Sequence, residues 1–256
     1  MFLSLVSGSS GNASIIKSDK TTILVDCGLS GKKLTQLMQG IGISPSDLDA
    51  ILVTHEHQDH TTGIGVVSRR FNVPVFATKM THEAMNLGVM SDDNLKVIKN
   101  NESFEIGDVG ICPFSVSHDA KDPVCYSFFV DGKKYSVATD TGVMNEQIFN
   151  AISGSEYVML EANYDEDMLV FGNYPYELKK RIKGDEGHLS NKVAAKTAVR
   201  LINSNTKHIM LSHLSDKNNR PDIAYKTVEN EILKNGIVLG RDVSLCVANR
   251  YEVTRF

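Results

Sequence analysis

Short apolar runs separated by polar turns recur along the chain and predict the strands of a sheet. The first five runs cover residues 2–6, 13–17, 21–26, 50–54 and 73–77. The later runs cover residues 101–109, 111–116, 124–130, 134–138, 156–160, 207–211 and 243–248. Asp131, Gly132 and Lys133 lie between two of these runs and are typical of a hairpin turn.

Apolar positions at helical spacing alternate with these strands. They predict helices over residues 32–40, 63–71 and 221–235, and a shorter helix that begins at residue 81. A further helix begins with Ser190 or Asn191 as its cap, and the residues that face its core side are Val193, Ala194, Ala198, Leu201 and Ile202. Residues 165–188 are the most polar stretch. The alternation predicts a mixed α and β fold, and the absence of repeats and linkers predicts one domain over residues 1–256.

The run at residues 50–54 leads directly into a cluster of possible metal ligands, His55, Glu56, His57, Gln58, Asp59 and His60. His55 and His57 are two positions apart, which places both side chains on one side of an extended loop. Asp59 and His60 follow at once and can reach a second point nearby. Imidazole and carboxylate groups suit zinc and are also used by manganese and iron. The sequence therefore predicts a metal site where a strand ends.

Three more residues of ligand type follow predicted strands further along the chain. They are His118, Asp140 and His213. Loops at strand ends meet at one edge of a sheet, so we expect these side chains to cluster. His208 lies inside a predicted strand, and we interpret it as structural. His82 lies inside a predicted helix, and we interpret it as structural or exposed.

Composition and charge restrict the class of protein. The 256 residues carry a net charge of −4, with 41% hydrophobic and 23% charged residues, as in ordinary globular proteins. The scattered cysteines indicate reduced thiols in a cytoplasmic protein. No apolar run has the length of a membrane span, and residues 1–6 lack the features of a secretory signal. Because the chain is not basic overall, a nucleic-acid partner requires a local patch or metal ions.

The spacing His55-x-His57-x-Asp59-His60 after an apolar strand resembles the signature of the metallo-β-lactamase family. The order of the later ligand-type residues is similar to that of the family's later metal motifs. The resemblance implies an α+β fold, the four-layer αβ/βα sandwich, and two divalent metal ions, zinc or manganese. It also implies that Asp26 supports the site without binding metal.

The resemblance further implies which residues hold each ion. One ion would be bound by His55, His57 and His118. The other would be bound by Asp59, His60 and His213, with Asp140 bridging both. A carboxylate suits the bridge because its two oxygens can span ions roughly 3.5–4 Å apart.

Two metal ions that share a hydroxide supply a nucleophile at neutral pH, but the leaving group still needs a proton. Glu161 and His188 are similar to the pair that delivers this proton in the phosphodiesterase branch of the family. Together with Asp59 they are the predicted catalytic residues. The structural alternatives are a salt bridge at a strand end for Glu161 and a hydrogen bond at a helix start for His188.

Segments 7–12, 160–165, 187–191 and 212–219 together resemble the YycJ/WalJ subfamily, nearly from end to end. This resemblance implies a 5′ to 3′ DNA exonuclease, with DNA rather than RNA as its partner and no membrane association. The candidates for binding a terminal phosphate are Ser9, Asn12, Ser190, Asn191 and Asn218. The basic residues in 179–183 either meet backbone phosphates or form a solvated helix face.

Three other functions remain open. A thioester hydrolase like glyoxalase II shares the metal motif but carries an extra C-terminal helical domain that we do not expect here. An RNA-processing nuclease is the second alternative. Only 72 residues separate Asp140 from His213, which leaves no space for the inserted domain of RNase J-type enzymes. The third is a non-catalytic metal-dependent binding module, against which the Glu161 and His188 pair argues.

Overall fold

The computed structural model describes residues 1–256, which form fourteen strands and nine α-helices. The strands are β1 (Phe2–Val6), β2 (Ala13–Lys17), β3 (Thr22–Val25), β4 (Ala50–Leu52), β5 (Val75–Thr78), β6 (Leu95–Ile98), β7 (Phe104–Ile106), β8 (Val109–Ser115), β9 (Val124–Val130), β10 (Lys133–Ala138), β11 (Tyr157–Glu161), β12 (His208–Ser212), β13 (Ser244–Val247) and β14 (Thr254–Arg255). The helices are α1 (Gly31–Gly40), α2 (Gln58–Thr61), α3 (Ile64–Phe71), α4 (Lys79–Ala84), α5 (Glu146–Ile152), α6 (Glu166–Phe171), α7 (Tyr176–Lys183), α8 (Asn191–Asn203) and α9 (Pro221–Lys234).

Contacts divide the chain into two compact units. The first unit comprises Met1–Ser115, Ala120–Asp131 and Asn249–Arg255. The second unit comprises Val116–Asp119, Gly132–Ala248 and Phe256. The organisation of residues 1–256 as one domain stays a prediction.

The first unit is built on a seven-stranded sheet with the order β14-β1-β2-β3-β4-β5-β6. Strands β3 and β4 are parallel, and Val25 is the register partner of Leu52. Both strands therefore end at the same edge, where the turn at Asp26 and the loop at His55 begin. The sheet is covered by α1 and α3, which bury Leu34 and Val67 in its hydrophobic core.

Strands β7, β8 and β9 form an antiparallel succession in the same unit. The sequence predicted one strand over residues 101–109, and this prediction is wrong. Strand β7 ends at Ile106, and Gly107 turns the chain with a φ of +57°. That left-handed conformation is open to glycine at no steric cost, so the apolar run is split by a tight turn.

The second unit contains four parallel strands, β10, β11, β12 and β13. Helix α5 connects β10 to β11, helices α6 to α8 connect β11 to β12, and α9 connects β12 to β13. Parallel strands need such crossovers, and their carboxyl ends meet at one edge. The residues that follow β10 and β12 at this edge are therefore neighbours of Glu161, the last residue of β11.

Three helices of the second unit were not predicted. Helix α5 was missed, and the polar stretch of residues 165–188 contains α6 and α7. Helix α7 buries none of its residues, so it shows no strong apolar stripe. Helix α6 is set by its cap, because the Asp165 carboxylate accepts a hydrogen bond of 3.0 Å from the Met168 amide. Helix α8, by contrast, begins as predicted, with Ser190 as its N-cap.

Two expectations from composition can be compared with the structure. All four cysteines are free, with Cys27 and Cys125 buried and Cys112 and Cys246 partly buried. Among the nine helices, none combines the length and apolar character needed to cross a lipid bilayer.

Candidate functional site

The motif loop of the first unit runs from the end of β4 into α2. His57 is the residue that precedes α2 and has an extended backbone, and His60 lies inside the helix. The Nε2 atom of His55 lies 3.1 Å from Nδ1 of His57, and the ring centroids of His55 and His60 are 4.2 Å apart. His55 and His60 are buried. The first unit thus brings together three of its four predicted ligands through their rings, and His60 Nε2 lies 3.4 Å from Oδ2 of Asp59, the fourth.

The carboxylate of Asp26 makes three contacts with the motif loop. Its Oδ2 lies 2.8 Å from Nδ1 of His60, and its Oδ1 accepts a hydrogen bond of 2.8 Å from the Thr54 amide. The Thr54 hydroxyl donates to Oδ2 at 2.9 Å. Since an aspartate is an acceptor, it places the proton of His60 on Nδ1, so that the lone pair of the ring lies on Nε2, which faces Asn12 and Asp59. This geometry agrees with the supporting role predicted for Asp26, which stays a prediction.

Close packing of the backbone fixes the turn after β3 against the motif loop. A Cβ on Gly28 would lie 1.7 Å from the carbonyl oxygen of Asp59. The backbone amide of Asn12 donates a hydrogen bond of 2.8 Å to that same carbonyl oxygen. Only glycine therefore allows this approach, and the position of Asp59 depends on two neighbouring turns.

The second unit gathers the remaining predicted ligands around Asp140. The Nε2 atom of His213 lies 3.3 Å from Asp140 Oδ1, and Nε2 of His118 lies 3.9 Å from it. The Nδ1 atom of His188 lies 3.7 Å from the same oxygen. Asp140, Glu161, His188 and His213 each offer a ligand atom within 4.8 Å of the others. The predicted clustering at this edge is therefore observed within the second unit.

Three imidazoles of the two clusters share one arrangement that suits metal binding. Nδ1 of His60 faces the Asp26 carboxylate, Nδ1 of His118 lies 3.2 Å from the carbonyl oxygen of Gly187, and Nδ1 of His213 lies 3.3 Å from Glu161 Oε1. Each acceptor fixes the proton on Nδ1 and presents Nε2, as is usual for metal-binding histidines. Burial lowers the pKa of His118, so its imidazole is neutral near pH 7. The donor set fits a divalent metal ion.

Glu161 is fully buried and anchors His188. Its Oε1 lies 2.7 Å from Nδ1 of His188, and its Oε2 accepts hydrogen bonds from the amides of Thr141 and Leu189 at 3.0 and 3.3 Å. Burial alone would raise the pKa of this carboxyl, but the charge and hydrogen bond of His188 and the hydrogen bond of His213 outweigh it and lower the pKa. Glu161 is therefore a fixed anion that orients two imidazoles.

His188 is the most accessible member of this cluster. Its side chain is 20% exposed, whereas those of Asp140, Glu161 and His213 are at most 4% exposed. The loop that carries it is set close to the Asp140 turn, since a Cβ on Gly142 would lie 2.2 Å from the carbonyl oxygen of Asp185. His188 is thus fixed at Nδ1 and partly exposed to solvent, with its ring centroid 5.2 Å from those of His118 and His213.

Three residues of the two clusters have a left-handed backbone. The φ angles are +59° for Asp26, +53° for Asp140 and +55° for His213. Each residue follows a strand, β3, β10 or β12, so the chain turns sharply at the point where the side chain is needed. This conformation is sparsely populated by residues with a Cβ and clusters at functional sites. No local sequence signal predicted it.

The five candidate phosphate contacts differ in accessibility. Ser9 is exposed, whereas Asn12 is buried with its amide 3.1 Å from Nε2 of His60. Ser190 caps α8 and also donates to Glu166 at 3.1 Å. Asn191 is buried and bonded to Asn219. The side chains of Asn12, Ser190 and Asn191 thus have protein partners, and the role of all five residues toward substrate stays a prediction.

Sequence reasoning gave no role to Asn163 and Asn219, and it did not foresee that Asn218 is buried. Asn163 donates to the carbonyl oxygen of His213 at 2.9 Å and lies 3.2 Å from Nδ1 of its ring. Asn219 donates to the carbonyl oxygen of Ala162 at 2.8 Å and to Oδ1 of Asn191 at 2.8 Å. Asn218 is 1% exposed, and its Nδ2 is buried without a hydrogen-bond partner. Their presence in segments 160–165 and 212–219 was the available signal.

The two histidines interpreted as structural lie away from these clusters. Nδ1 of His208 lies 2.7 Å from the Ser244 hydroxyl, and its ring stacks on Tyr157 with centroids 4.2 Å apart. Nε2 of His82 lies 3.1 Å from the carbonyl oxygen of Lys96. These contacts agree with both interpretations.

Comparison with known proteins gives the chain clear relatives. A family model described as the beta-lactamase superfamily domain matches residues 21–214. The chain is 39% identical over 242 residues to the exodeoxyribonuclease WalJ of Streptococcus pneumoniae, covering 93% of this chain and 90% of that protein. It is 37% identical over 241 residues to the exodeoxyribonuclease YycJ of Bacillus anthracis, covering 93% and 91%.

Solved structures agree on the fold. The metallo-β-lactamase fold protein YhfI from Bacillus subtilis superposes with a TM-score of 0.75 at 14% identity, over 99% of this chain and 98% of that one. The Zn²⁺-bound PqqB from Methylobacterium extorquens superposes with a TM-score of 0.72 at 16% identity, over 100% and 99%. The predicted α+β metallo-β-lactamase fold is confirmed.

Proposed function

The chain belongs to the beta-lactamase superfamily, and from that premise we propose that it is a metal-dependent phosphodiesterase that degrades DNA from 5′ ends. The observation that carries this proposal is the contact of 2.7 Å between His188 and the buried Glu161, beside Asp140 and His213. A hydrolase whose leaving group departs as an alkoxide needs a proton donor of this kind. The two relatives named as exodeoxyribonucleases support DNA as the substrate.

The proposed centre holds two divalent metal ions, zinc or manganese. His55, His57 and His118 would hold one ion, Asp59, His60 and His213 would hold the other, and Asp140 would serve both. The support is the order of these residues in the sequence and, within each unit, the Nε2 atoms presented by His60, His118 and His213. Bound ions would supply an acidified water as nucleophile and would polarise the phosphoryl oxygen.

His188 is the proposed proton donor. With Nδ1 held by Glu161, the ring presents Nε2, and its exposed fraction allows contact with a substrate. The buried carboxylate keeps the ring in one orientation, in the manner of the aspartate in a hydrolase triad. Glu161 acts through His188 and is a positioning residue. Asp59, the third predicted catalytic residue, acts as a ligand in this proposal.

Substrate contacts are proposed on both units. Ser9 is exposed and is the most accessible of the predicted phosphate contacts. Asn12, Ser190, Asn191 and Asn218 line the neighbourhood of the ligand residues as neutral donors. Because these four side chains are largely buried, each can contact a substrate phosphate through one amide or hydroxyl at most. Otherwise they act indirectly, by shaping the loops that carry His60 and His213.

The environment proposed for this activity is the cytoplasm. All four cysteines are free, and burial raises the pKa of Cys27 to about 12 and that of Cys246 to about 11. Thiols with such pKa values are poor nucleophiles and form disulfides slowly.

The proposed partner of the protein is nucleic acid, DNA rather than RNA.

The deciding experiment compares four substrates with protein loaded with zinc or manganese. These are 5′-phosphorylated linear duplex DNA, closed circular DNA, RNA of the same sequence and S-lactoylglutathione. We expect mononucleotide release from linear DNA and none from circular DNA. A His188→Asn preparation serves as the control for contaminating nucleases. Equal cutting of circular DNA contradicts an exonuclease, faster RNA decay favours an RNA-processing enzyme, and thioester turnover with intact DNA favours the glyoxalase II-like alternative.

A further inference from the structure

Helices α6 and α7 of the second unit enclose a groove of about 670 Å³. We call it the lysine groove, and its lining residues are Leu169, Val170, Tyr176, Lys179, Lys180, Lys183 and Gly184. Lys179 closes one side, because its Nζ donates to the carbonyl oxygen of Val170 at 2.8 Å. Its volume lies in the range of sites that hold small organic ligands. None of the residues that line the groove belongs to the clusters described above.

Charge is sorted between the two sides of α7. The lysine groove has three ammonium groups and no carboxylate among its lining residues. The neighbouring cavity, of about 530 Å³, has the opposite character, since Asp119, Glu177, Asp185 and Glu186 line it with Lys180 and Arg181. Arg181 is neutralised there by an ion pair with Asp119. A polyanion is therefore attracted to one side of α7 and repelled from the other.

Aromatic side chains stand exposed at the groove. Tyr176, the first residue of α7, is 75% exposed, and Phe171, the last residue of α6, is 83% exposed. Val170 adds a further apolar surface at 52%. Tyr176 lines the groove and belongs to α7, which buries none of its residues, so its ring has no role in a core. An exposed ring beside lysines is the arrangement on which unpaired bases stack while their phosphates meet the cations.

The groove leads toward the proposed proton donor. The backbone amide of His188 donates to the carbonyl oxygen of Ile182 at 3.0 Å, and that of Gly187 donates to the carbonyl oxygen of Gly184 at 2.9 Å. The last turn of α7 therefore carries both Lys183 and the anchor of the His188 loop. A strand whose phosphates contact Lys180 and Lys183 would therefore bind at the helix end that holds the His188 loop.

We propose that the lysine groove binds an unpaired nucleic-acid strand, with Tyr176 stacked on a base and Lys180 and Lys183 in contact with phosphates. The occupant is single-stranded because a base inside a duplex has both faces covered and offers none to Tyr176. The inference rests on the proposed nuclease function and adds its substrate form: the enzyme takes a strand separated from its complement at the end.

The test measures binding by fluorescence anisotropy with metal-loaded protein and a labelled, phosphorothioate-substituted oligonucleotide that resists cutting. Tyr176→Ala should weaken single-strand binding by roughly five- to 150-fold, the usual worth of one stacked base, and Tyr176→Phe should restore it. Lys180→Gln with Lys183→Gln should lower the slope of log affinity against log salt concentration by about 1.4 for the two lost contacts.

The matched control removes two charges elsewhere on the same unit. Lys196→Gln with Lys234→Gln changes two lysines that line a different cavity, between α8 and α9, and should leave the slope and the affinity unchanged. Equal loss in this control overturns the inference, because binding then follows net charge alone. Tighter binding of duplex through the same residues, or of heparin without any effect of Tyr176→Ala, also overturns it.

The outcomes separate this inference from the function it rests on. If the protein degrades linear DNA and the groove variants bind and cut like the parent, the groove proposal fails and the nuclease stands. If no nucleic acid is hydrolysed and the groove variants still lose single-strand binding, the nuclease proposal fails and the groove stands.

Discussion

The Nδ1 atom of His188 lies 2.7 Å from Oε1 of Glu161, a carboxylate with no exposed surface. The carboxylate is held in turn by two backbone amides. His188 is therefore the end of a chain of hydrogen bonds that begins in the core of the second unit. This arrangement separates its role from that of the ligand residues and makes it testable by itself.

Replacement of His188 by asparagine should lower turnover by about two to four orders of magnitude, the usual effect of losing a general acid. Because His188 is not a proposed ligand, the metal content should stay at the level of the parent protein. Steady-state turnover of linear DNA and metal analysis of the same preparation give the two readouts. Normal turnover, or loss of metal, would remove the acid role.

Asp140→Asn should abolish turnover and reduce metal content, since the proposed bridge serves both ions. Asparagine is the appropriate replacement because it tolerates the left-handed backbone at this position. The control is His208→Ala, a histidine of the same unit that contacts Ser244 and Tyr157 and should leave activity intact. A dead His208 variant beside an active Asp140 variant would reverse our ligand assignment.

Asp26→Asn should weaken metal binding by about 10- to 100-fold, as is usual when a residue that orients a ligand is changed. The amide is a poorer acceptor for the Nδ1 proton of His60, while the left-handed backbone is preserved. Metal affinity is measured by competition with a chromophoric chelator. Asp49→Asn is the matched control, since Asp49 accepts a hydrogen bond from the Thr22 amide and has no contact with the motif loop. Equal affinity in both variants contradicts the orienting role.

Metal analysis should find two ions per chain after loading with zinc or manganese. Each site should raise the free energy of unfolding by about 2.7 kcal/mol when free metal is 100 times its dissociation constant. A chelator should reverse this stabilisation and remove activity. Plasma mass spectrometry and thermal unfolding with and without chelator give the values. A content below one ion per chain at saturating metal would contradict the proposed centre.

The two compact units should unfold together if residues 1–256 form one domain. Cysteines report on each unit separately, because Cys27 and Cys125 are buried in the first and Cys246 is mostly buried in the second. Thiol labelling along a urea titration, read by peptide mass spectrometry, should give one midpoint for all three. Separate midpoints for Cys27 and Cys246 would show two independently folding domains.

The clusters of ligand-type residues could be predicted because the signal is local. Residues His55 to His60 lie within six positions, directly after a buried strand, and both the spacing and the strand are visible in the sequence. His118, Asp140 and His213 could be found for the same reason, since each follows an apolar run. The mixed α and β class also followed from periodicity, and the family resemblance supplied the sandwich.

The remaining features depend on contacts between distant residues. Helix α7 contains Leu178 and Ile182 as its half-buried apolar positions, which is too weak a stripe to predict it. Asn163 and Asn219 reach their hydrogen-bond partners only because β11 and β12 are adjacent in space. The burial of Asn191 is likewise set by its partner 28 positions away, so its accessibility could not be judged from its own neighbours.

The left-handed backbone shared by Asp26, Asp140 and His213 bears on how this chain evolves. Each such residue costs on the order of 1–3 kcal/mol, against a total stability of about 5–15 kcal/mol for a typical domain. Glycine would relieve the strain at all three positions and would remove three side chains that the proposed chemistry needs. Lineages that lose the activity should therefore drift toward glycine there, and screens for heat resistance alone should recover the same inactive substitutions.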